Sequence, residues 1–227
     1  MPVRLAIPSE FDLQAVPVFP LPHVVLLPGA LLPLHVFEAR YREMTRDALA
    51  GRRLLAVARL KPGFEANYQG RPPIYSVCGV GEIVRHELRK DGCYDILVAG
   101  LIRASVREEL PATREYRLVR AQSLRDGPSN DPRTLGAWQR ELSTLWDKLG
   151  PYLPTSVRDL CQRMSANESP GAWADRIAAA LVADPDARQA LLEELDPAAR
   201  LSSLVERLHE LLSALGEDRP SANLQLN

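Results

Sequence analysis

The chain has 227 residues, of which 46% are hydrophobic and 25% charged, with a formal net charge of −1. That is enough chain for one large or two small globular domains with a sizeable core, so folding needs neither a disulfide nor a metal. No apolar run approaches the ~20 residues that span a bilayer, and the first ten residues lack the apolar stretch and cleavage site of a secretory signal; a cytoplasmic protein is expected rather than a membrane or secreted one.

The near-zero charge hides an asymmetry. Residues 1–125 carry 18 Lys+Arg against 13 Asp+Glu, a net +5, and residues 126–227 carry 10 against 16, a net −6. Opposite charge on the two halves suggests two modules, docked on one another or with a basic surface on the first. Neither half is basic enough for a dedicated nucleic-acid binder. Cys78, Cys93 and Cys161 form no C-x-x-C pair and read as reduced thiols packed as small apolar residues.

Proline punctuates the opening. Pro2, Pro8, Pro17, Pro20, Pro22, Pro28 and Pro33 all fall in the first 33 residues, which rules out a helix there. Short strands are expected at Val16–Leu21 and Leu32–Phe37, parted by a turn at Pro28-Gly29. A helix is expected from Glu38 to Ala50, with Tyr41, Met44, Thr45 and Ala48 on its buried face, a Glu38–Arg42 pair, and Gly51 as its stop. The apolar run Leu54 to Leu60 reads as a buried strand. A loop follows from Lys61 to Pro73. A long hairpin then pairs Val77–Leu88 with Tyr94–Val106 across an Asp91-Gly92 turn. Alternation places Cys78, Val80, Val84 and Leu88 on one face of the first strand, and Tyr94, Ile96, Val98, Ile102, Ala104 and Val106 on one face of the second. Gly79, Gly81 and Gly100 mark bulges or bends in a curled sheet. Arg114–Ser123 is a further strand.

Residues 125–132 have linker composition, and the chain beyond them is helical. Leu135, Trp138, Leu142, Leu145 and Leu149 make an amphipathic stripe, continued by Val157, Leu160, Cys161 and Met164. Asp131-Pro132, Ser169-Pro170, Asp184-Pro185 and Asp196-Pro197 each set a capping side chain before an N1 proline. The last helix stops at Gly216. The fold class is therefore α+β: a β-rich N-terminal module with one or two helices over residues 10–125, either a small, partly closed barrel or an open sheet packed on the helices, then a C-terminal all-α bundle over 131–216 and a loose tail over 217–227.

Catalytic patterns are scarce. The four histidines show no metal-ligand spacing, and there is no H-E-x-x-H, P-loop or Rossmann fingerprint. Ser129 sits on a turn of the linker with no evident base. Neither a metal nor a cofactor is expected. Arg103, set in an apolar strand, calls for a structural ion pair. The candidate ligand contacts are the aromatics in and just after the loop, Phe64, Tyr68 and Tyr75. Phe64 and Tyr68 have two readings: they plug the end of the barrel, or they offer an apolar contact to a peptide.

Val18-Phe19-Pro20-Leu21, Val24-Val25-Leu26-Leu27-Pro28-Gly29 and Leu32-Pro33-Leu34-His35-Val36-Phe37-Glu38-Ala39-Arg40-Tyr41 together resemble the opening of the N-terminal substrate-recognition domain of Lon proteases. The loop Leu60–Pro73 and the run Gly79-Val80-Gly81-Glu82-Ile83 resemble short stand-alone bacterial members of that family. Val98-Ala99-Gly100-Leu101-Ile102-Arg103-Ala104 is similar to its apolar-x-G-x-x-R segment, and Asp175-Arg176-Ile177-Ala178 to part of its helical region. The resemblance implies a PUA-like pseudo-barrel followed by a helical bundle, and a non-catalytic protein-binding role without the ATPase and protease modules. The expected partners are unfolded or degron-bearing protein segments, together with a protease or chaperone. PUA-like barrels also include RNA readers; the acidic second half weighs against that alternative, so nucleic acid is not an expected partner.

Overall fold

The computed structural model describes residues 6–127, 132–160 and 168–217. Six strands form one sheet: β1 (Val16–Leu21), β2 (Leu31–Val36), β3 (Leu54–Arg59), β4 (Val77–Leu88), β5 (Tyr94–Glu109) and β6 (Arg117–Leu124). Their order is β2-β5-β4-β3-β1-β6, and the far half of β5 pairs with β6 as well. The sheet thus curls back on itself through β5 without forming a regular closed barrel. β2 stays outside the curl as an edge, and the β1–β6 ladder is only three residue pairs long, Val16↔Val119 to Val18↔Arg117. β1 and β3 are parallel, which demands a crossover; α1 (Ala39–Ala50) lies within it.

β3 is buried along its whole length because both of its faces meet a core. Leu54, Ala56 and Ala58 point into the curl with Val18, Cys78, Val80, Ile102, Ala104 and Val119. Leu55 and Val57 point the other way, toward Tyr41, Met44 and Ala48 of α1. The buried face of α1 is the expected one. Its start differs from expectation. Glu38 is the N-cap, in extended backbone (φ −64°, ψ 136°), so its side chain leaves the helical register and takes Arg40 and Tyr68 rather than Arg42. At the other end Gly51 is the C-cap at φ −109°, and the left-handed residue is Arg53 at φ 59°.

The strict alternation expected of the hairpin is broken twice. Gly81 pairs with Gly100 and Val80 with Ile102, leaving Leu101 as an extra residue; Ile83 pairs with Val98 and Arg85 with Leu97, leaving Val84 extra. These bulges turn the strands from one core to the other. Ile96 and Val98 join the core beneath α1, whereas Ile102 and Ala104 fill the curl. For the same reason Leu88 does not share a buried face with Cys78 and Val80 and is 60% exposed.

The glycines serve a further purpose. The segment from Val24 to Pro28 lies directly across them. A Cβ at Gly79 would sit 1.9 Å from the Leu26 carbonyl oxygen, and one at Gly100 would sit 2.2 Å from that of Leu27. Gly29 (φ 76°) then donates its N–H to the Gly100 carbonyl at 2.9 Å. Leu26 turns down to the sheet, while Val25 and Leu27 turn up into the helical core.

That core belongs to α2 (Pro132–Leu149), α3 (Thr155–Leu160), α4 (Pro170–Leu181), α5 (Pro185–Glu193) and α6 (Pro197–Glu217). α2 packs on α6 and α6 on α4, burying Leu142, Leu145, Leu149, Trp173, Ile177, Leu201 and Leu204. The proline-marked starts are capped as the sequence suggests. Ser169 Oγ accepts from Ala172 N at 3.2 Å, Asp184 accepts from Asp186 N and Ala187 N, and Asp196 Oδ1 accepts from Ala198 N at 2.9 Å. α6 runs one residue beyond Gly216. The readings of Ser129, Asp131, Cys161, Met164 and the tail from 218 onward lie outside the described residues.

Charge joins the helices to the sheet. Arg103 of β5 donates Nη2 to Asp175 Oδ1 of α4 at 2.5 Å and Nε to the Leu192 carbonyl at 3.0 Å. Arg200 of α6 forks onto Asp126 at 3.0 and 2.6 Å, and its Nε lies 3.2 Å from Asp175. The side chains of Arg103, Asp175 and Arg200 are at most 5% exposed. Gly171 leaves room for this network, because a Cβ there would fall 2.2 Å from Arg200 Nη2. A second tie runs from Arg59 of β3 to Asp186 of α5 at 2.7 Å. In both cross-links the first half supplies the cation and the second half the anion, which accounts for part of the charge asymmetry. Among the described residues no helix is long and apolar enough to cross a membrane.

Candidate functional site

The loop after β3 is more ordered than its composition suggests. Leu60 bridges to Ile74, closing the loop at its base. Gly63 (φ 83°) begins a 3₁₀ turn at Phe64–Asn67. The turn brings Phe64 and Tyr68 together, with ring centroids 6.1 Å apart at 61°, an edge-to-face contact. Both rings are half-buried. Tyr68 is anchored rather than free: its hydroxyl donates to Glu38 Oε1 at 2.7 Å, and the Arg40 guanidinium lies 5.2 Å from its ring and 4.6 Å from that of Tyr41. Tyr75 does not join them. It sits on the flank toward α5, with Arg59 and Lys61 over its ring at 5.2 and 5.9 Å.

Beside Tyr68 a cleft of ≈ 360 Å³ opens between this loop and the β5–β6 connection. Pro20, Leu60, Tyr41 and Tyr116, each nearly buried, form its floor. Gln69 to Pro72 line one side, and Ala112 with Arg114 to Arg117 another. Arg117 holds the two sides together: it is 7% exposed, donates Nη1 to the Pro72 carbonyl at 2.7 Å, and forks onto Glu109. Arg40, Arg71 and Arg114 complete the cationic lining, and Glu115 also reaches it.

The tyrosines of the cleft stay protonated well beyond neutral pH. Burial pushes Tyr41 up to about 12. Tyr116 is also pushed up to about 12, by burial and by the bond its hydroxyl donates to Asp47 at 2.9 Å. Burial and the Glu38 carboxylate raise Tyr68. The lining holds no serine, cysteine or histidine to act as a nucleophile or base. Among the described residues no three His, Cys, Asp or Glu side chains come together to hold a metal. The arrangement is suited to contact: aromatic and proline surface with N–H donors around it.

A second, shallower hollow of ≈ 480 Å³ lies on the β2–β5–β4 region, among Pro33, His35, His86, Asp95 and Leu97. Leu31, Phe37 and Leu88 are exposed on these strands or beside them. Asp95 carries a charge network, with His35 Nδ1 at 2.7 Å and Arg89 forked onto it. Arg89 and His35 hold its carboxyl below the usual range. β2 is the edge strand, and Pro33 within it has no N–H to offer an added strand.

The sequence pointed to Phe64 and Tyr68. It did not point to Arg40, Tyr41, Arg71, Arg114, Tyr116 or Arg117 as neighbours of one cleft. Tyr41 reads as a core residue on the buried face of α1, and both it and Tyr116 are buried, at 4% and 5% exposure. Joining residues 68–72 to 112–117 takes the pairing of β6 with β1 and β5, which no local pattern encodes.

A family model described as the ATP-dependent protease La (LON) substrate-binding domain matches residues 15–210. The chain belongs to that family. Lon protease 2 of Myxococcus xanthus is 28% identical over 216 residues, covering 92% of this chain and 26% of that protein. Lon protease of Roseiflexus castenholzii is 31% identical over 212 residues, covering 91% and 24%. The chain thus spans about a quarter of the length of the curated relatives it matches, and the family match is to their substrate-binding domain only. In shape the N-terminal domain of Mycobacterium avium complex Lon protease superposes with a TM-score of 0.65 at 20% identity, covering 87% of this chain and 99% of that one. A Lon N-terminal domain protein from Xanthomonas campestris does so with 0.56 at 23% identity, covering 85% and 98%. These two likenesses show the fold. In this Lon substrate-binding domain the family's opening motif corresponds to β1, the segment laid across the glycines, and β2.

Proposed function

We propose that this chain is a non-catalytic module that captures unfolded or degron-bearing protein segments in the cleft beside Phe64 and Tyr68. It works in the cytoplasm and passes such segments to a protease or chaperone. The observation that carries the reading is membership of the Lon substrate-binding domain family over residues 15–210. The cleft supports it: arginine donors for backbone carbonyls around a small apolar floor, with the half-buried edge of Tyr68 at its side. The PUA-like β-rich part, residues 10–125, carries the site, and the helical part, residues 131–216, is a separate module.

Fluorescence anisotropy with a labelled, permanently unfolded polypeptide tests the proposal. Saturable binding below millimolar concentration is expected, weakened about tenfold or more in a Phe64→Ala/Tyr68→Ala double variant. Tyr68→Phe, which keeps the ring and loses only the bond to Glu38, separates contact from anchoring. An absence of binding, or binding that ignores the double variant, sinks the assignment of this cleft.

A further inference from the structure

We propose that the cleft selects segments in which acidic side chains stand next to apolar ones. This rests on the peptide-capture reading and names the class of segment captured.

The lining charges are four guanidinium groups, Arg40, Arg71, Arg114 and Arg117, against one carboxylate, Glu115. The carboxylates that balance the arginines, Glu38, Glu43, Asp47 and Glu109, are not part of the lining. The ion pairs are therefore arranged with their nitrogen ends toward the cleft.

The four arginines differ in how firmly they are held. Arg40 and Arg117 are fixed by hydrogen bonds and largely buried. Arg71 and Arg114 are 40% and 52% exposed. Their partners lie beyond hydrogen-bond reach: Glu109 is 3.7 Å from Arg71, and Glu43 and Asp47 are 3.8 and 3.7 Å from Arg114. Those partners are also engaged elsewhere, since Glu109 is forked by Arg117 and Asp47 takes the Tyr116 hydroxyl. Exposed pairs of this kind are weak, so a ligand carboxylate displaces them at little cost. A guanidinium fork then gives it two parallel N–H donors. Pro20, Leu60 and the Tyr41 and Tyr116 side chains, all nearly buried, give the cleft a small apolar floor beside the arginines, so an acidic residue with an apolar neighbour fits it better than an acidic residue alone.

Phosphates of a single-stranded nucleic acid would also suit arginines, but such sites need open ring faces on which bases stack. Here Arg40 lies over both the Tyr41 and Tyr68 rings, Phe19 packs 4.7 Å from Tyr41, and Phe64 meets Tyr68. The rings are already covered, which favours a peptide.

The test uses the full chain and two labelled peptides with amidated C-termini. They share their apolar residues, and one carries Glu wherever the other carries Gln. The Glu peptide is expected to bind about tenfold tighter, with an advantage that shrinks as salt rises. The ratio is expected to fall to near one in Arg71→Gln/Arg114→Gln, whose exposed positions leave the fold intact by thermal unfolding. Equal affinities in the unmodified chain, both weakened by Phe64→Ala/Tyr68→Ala, overturn acidic selection and leave peptide capture standing. If neither peptide binds, both readings fail. An advantage that appears only when the C-terminal carboxylate is left free assigns the arginines to chain ends and overturns the inference. So does tighter binding of a labelled oligouridylate.

Discussion

Arg103→Met is the most informative single change in this fold, because it removes one charge from a network in which three of the four side chains are nearly fully buried. Arg103 and Asp175 are 5% and 2% exposed, and Arg103 also satisfies the Leu192 carbonyl. Met fills most of the space of the arginine stem but carries no charge. Asp175 is then left facing Arg200 Nε at 3.2 Å, a guanidinium already forked onto Asp126. Removing one partner of a buried pair costs about 3–5 kcal/mol, mostly because the other charge stays buried. In a chain of this length each kcal/mol lowers the melting temperature by about 2–4 °C, so a loss of about 4 kcal/mol is a drop of about 8–16 °C. Urea unfolding followed by tryptophan fluorescence measures it, since Trp173 lies on α4 two residues before Asp175 and is 2% exposed. The double variant Arg103→Met/Asp175→Leu removes both charges and is expected to recover about half of the loss or more. Acid separates the causes further. Burial holds the Asp175 carboxyl above its ordinary value of 3.8 against the pull of Arg103, and removing Arg103 raises it again. A raised carboxyl favours the fold in its protonated form, below the ordinary value, and loses that contribution as pH rises through the raised one. The deficit of Arg103→Met therefore narrows on acidification. A loss under about 1 kcal/mol, the value of a surface pair, would show that the network is not what joins helices to sheet; so would a double variant weaker than the single one.

Gly79→Ala drives a methyl group to 1.9 Å from the Leu26 carbonyl oxygen and is expected to cost more than about 3 kcal/mol in denaturant unfolding, whereas Gly63→Ala (φ 83°, nothing within 4 Å) meets only backbone strain of about 1–2 kcal/mol. Comparable losses at the two positions would contradict the close approach of residues 24–28 to the sheet. In a phenolate absorbance titration, Tyr41 and Tyr116 ionise near 12 in the folded chain and near 10 once it is unfolded. Because both values are raised by folding, the stability they contribute is complete below pH 10 and is lost between pH 10 and 12. Asp184→Ala removes acceptors for Asp186 N and Ala187 N at the start of α5 and should lower stability by about 1 kcal/mol, with no change expected in peptide binding.

Where the information was local, the sequence could be read directly. β1, β3, the buried face of α1 and the caps at Ser169, Asp184 and Asp196 follow from alternation, apolar runs and proline placement, and the structure has them. The misreadings share a cause. Val84 and Leu88 were placed by counting in twos, and a bulge adds one residue without any mark in composition. The Glu38–Arg42 pair assumed a helical Glu38, whereas a capping residue is extended. The glycines at 79, 81 and 100 gave a true signal with an incomplete meaning: bulges were expected, and the larger constraint is a segment 50 to 75 residues earlier lying across them. For the candidate site, Phe64 and Tyr68 were legible as aromatics in a loop. Arg71, Arg114 and Tyr116 were not, because what makes them a site is register between strands distant in sequence.

The residues that reveal the family and those proposed to bind are mostly different sets, and the fold explains why. The segment from Val25 to Gly29 serves both cores, with Leu26 against the sheet, Val25 and Leu27 in the helical bundle, and Gly29 joined to Gly100. A shift of this stretch disturbs two packings together, so its path is closely constrained. The cleft is held by backbone and paired charges: the Pro72 carbonyl on Arg117, Tyr68 on Glu38, Tyr116 on Asp47. Its exposed members, Arg71 and Arg114, are bound to nothing within hydrogen-bond reach among the described residues and can change without disturbing a core. If the proposed cleft is the binding site, a Lon substrate-binding domain can keep its architecture through the 24–29 segment while the loops at 61–73 and 110–116 set its ligand, and exchanging those two loops between members of the family should transfer peptide preference without transferring stability.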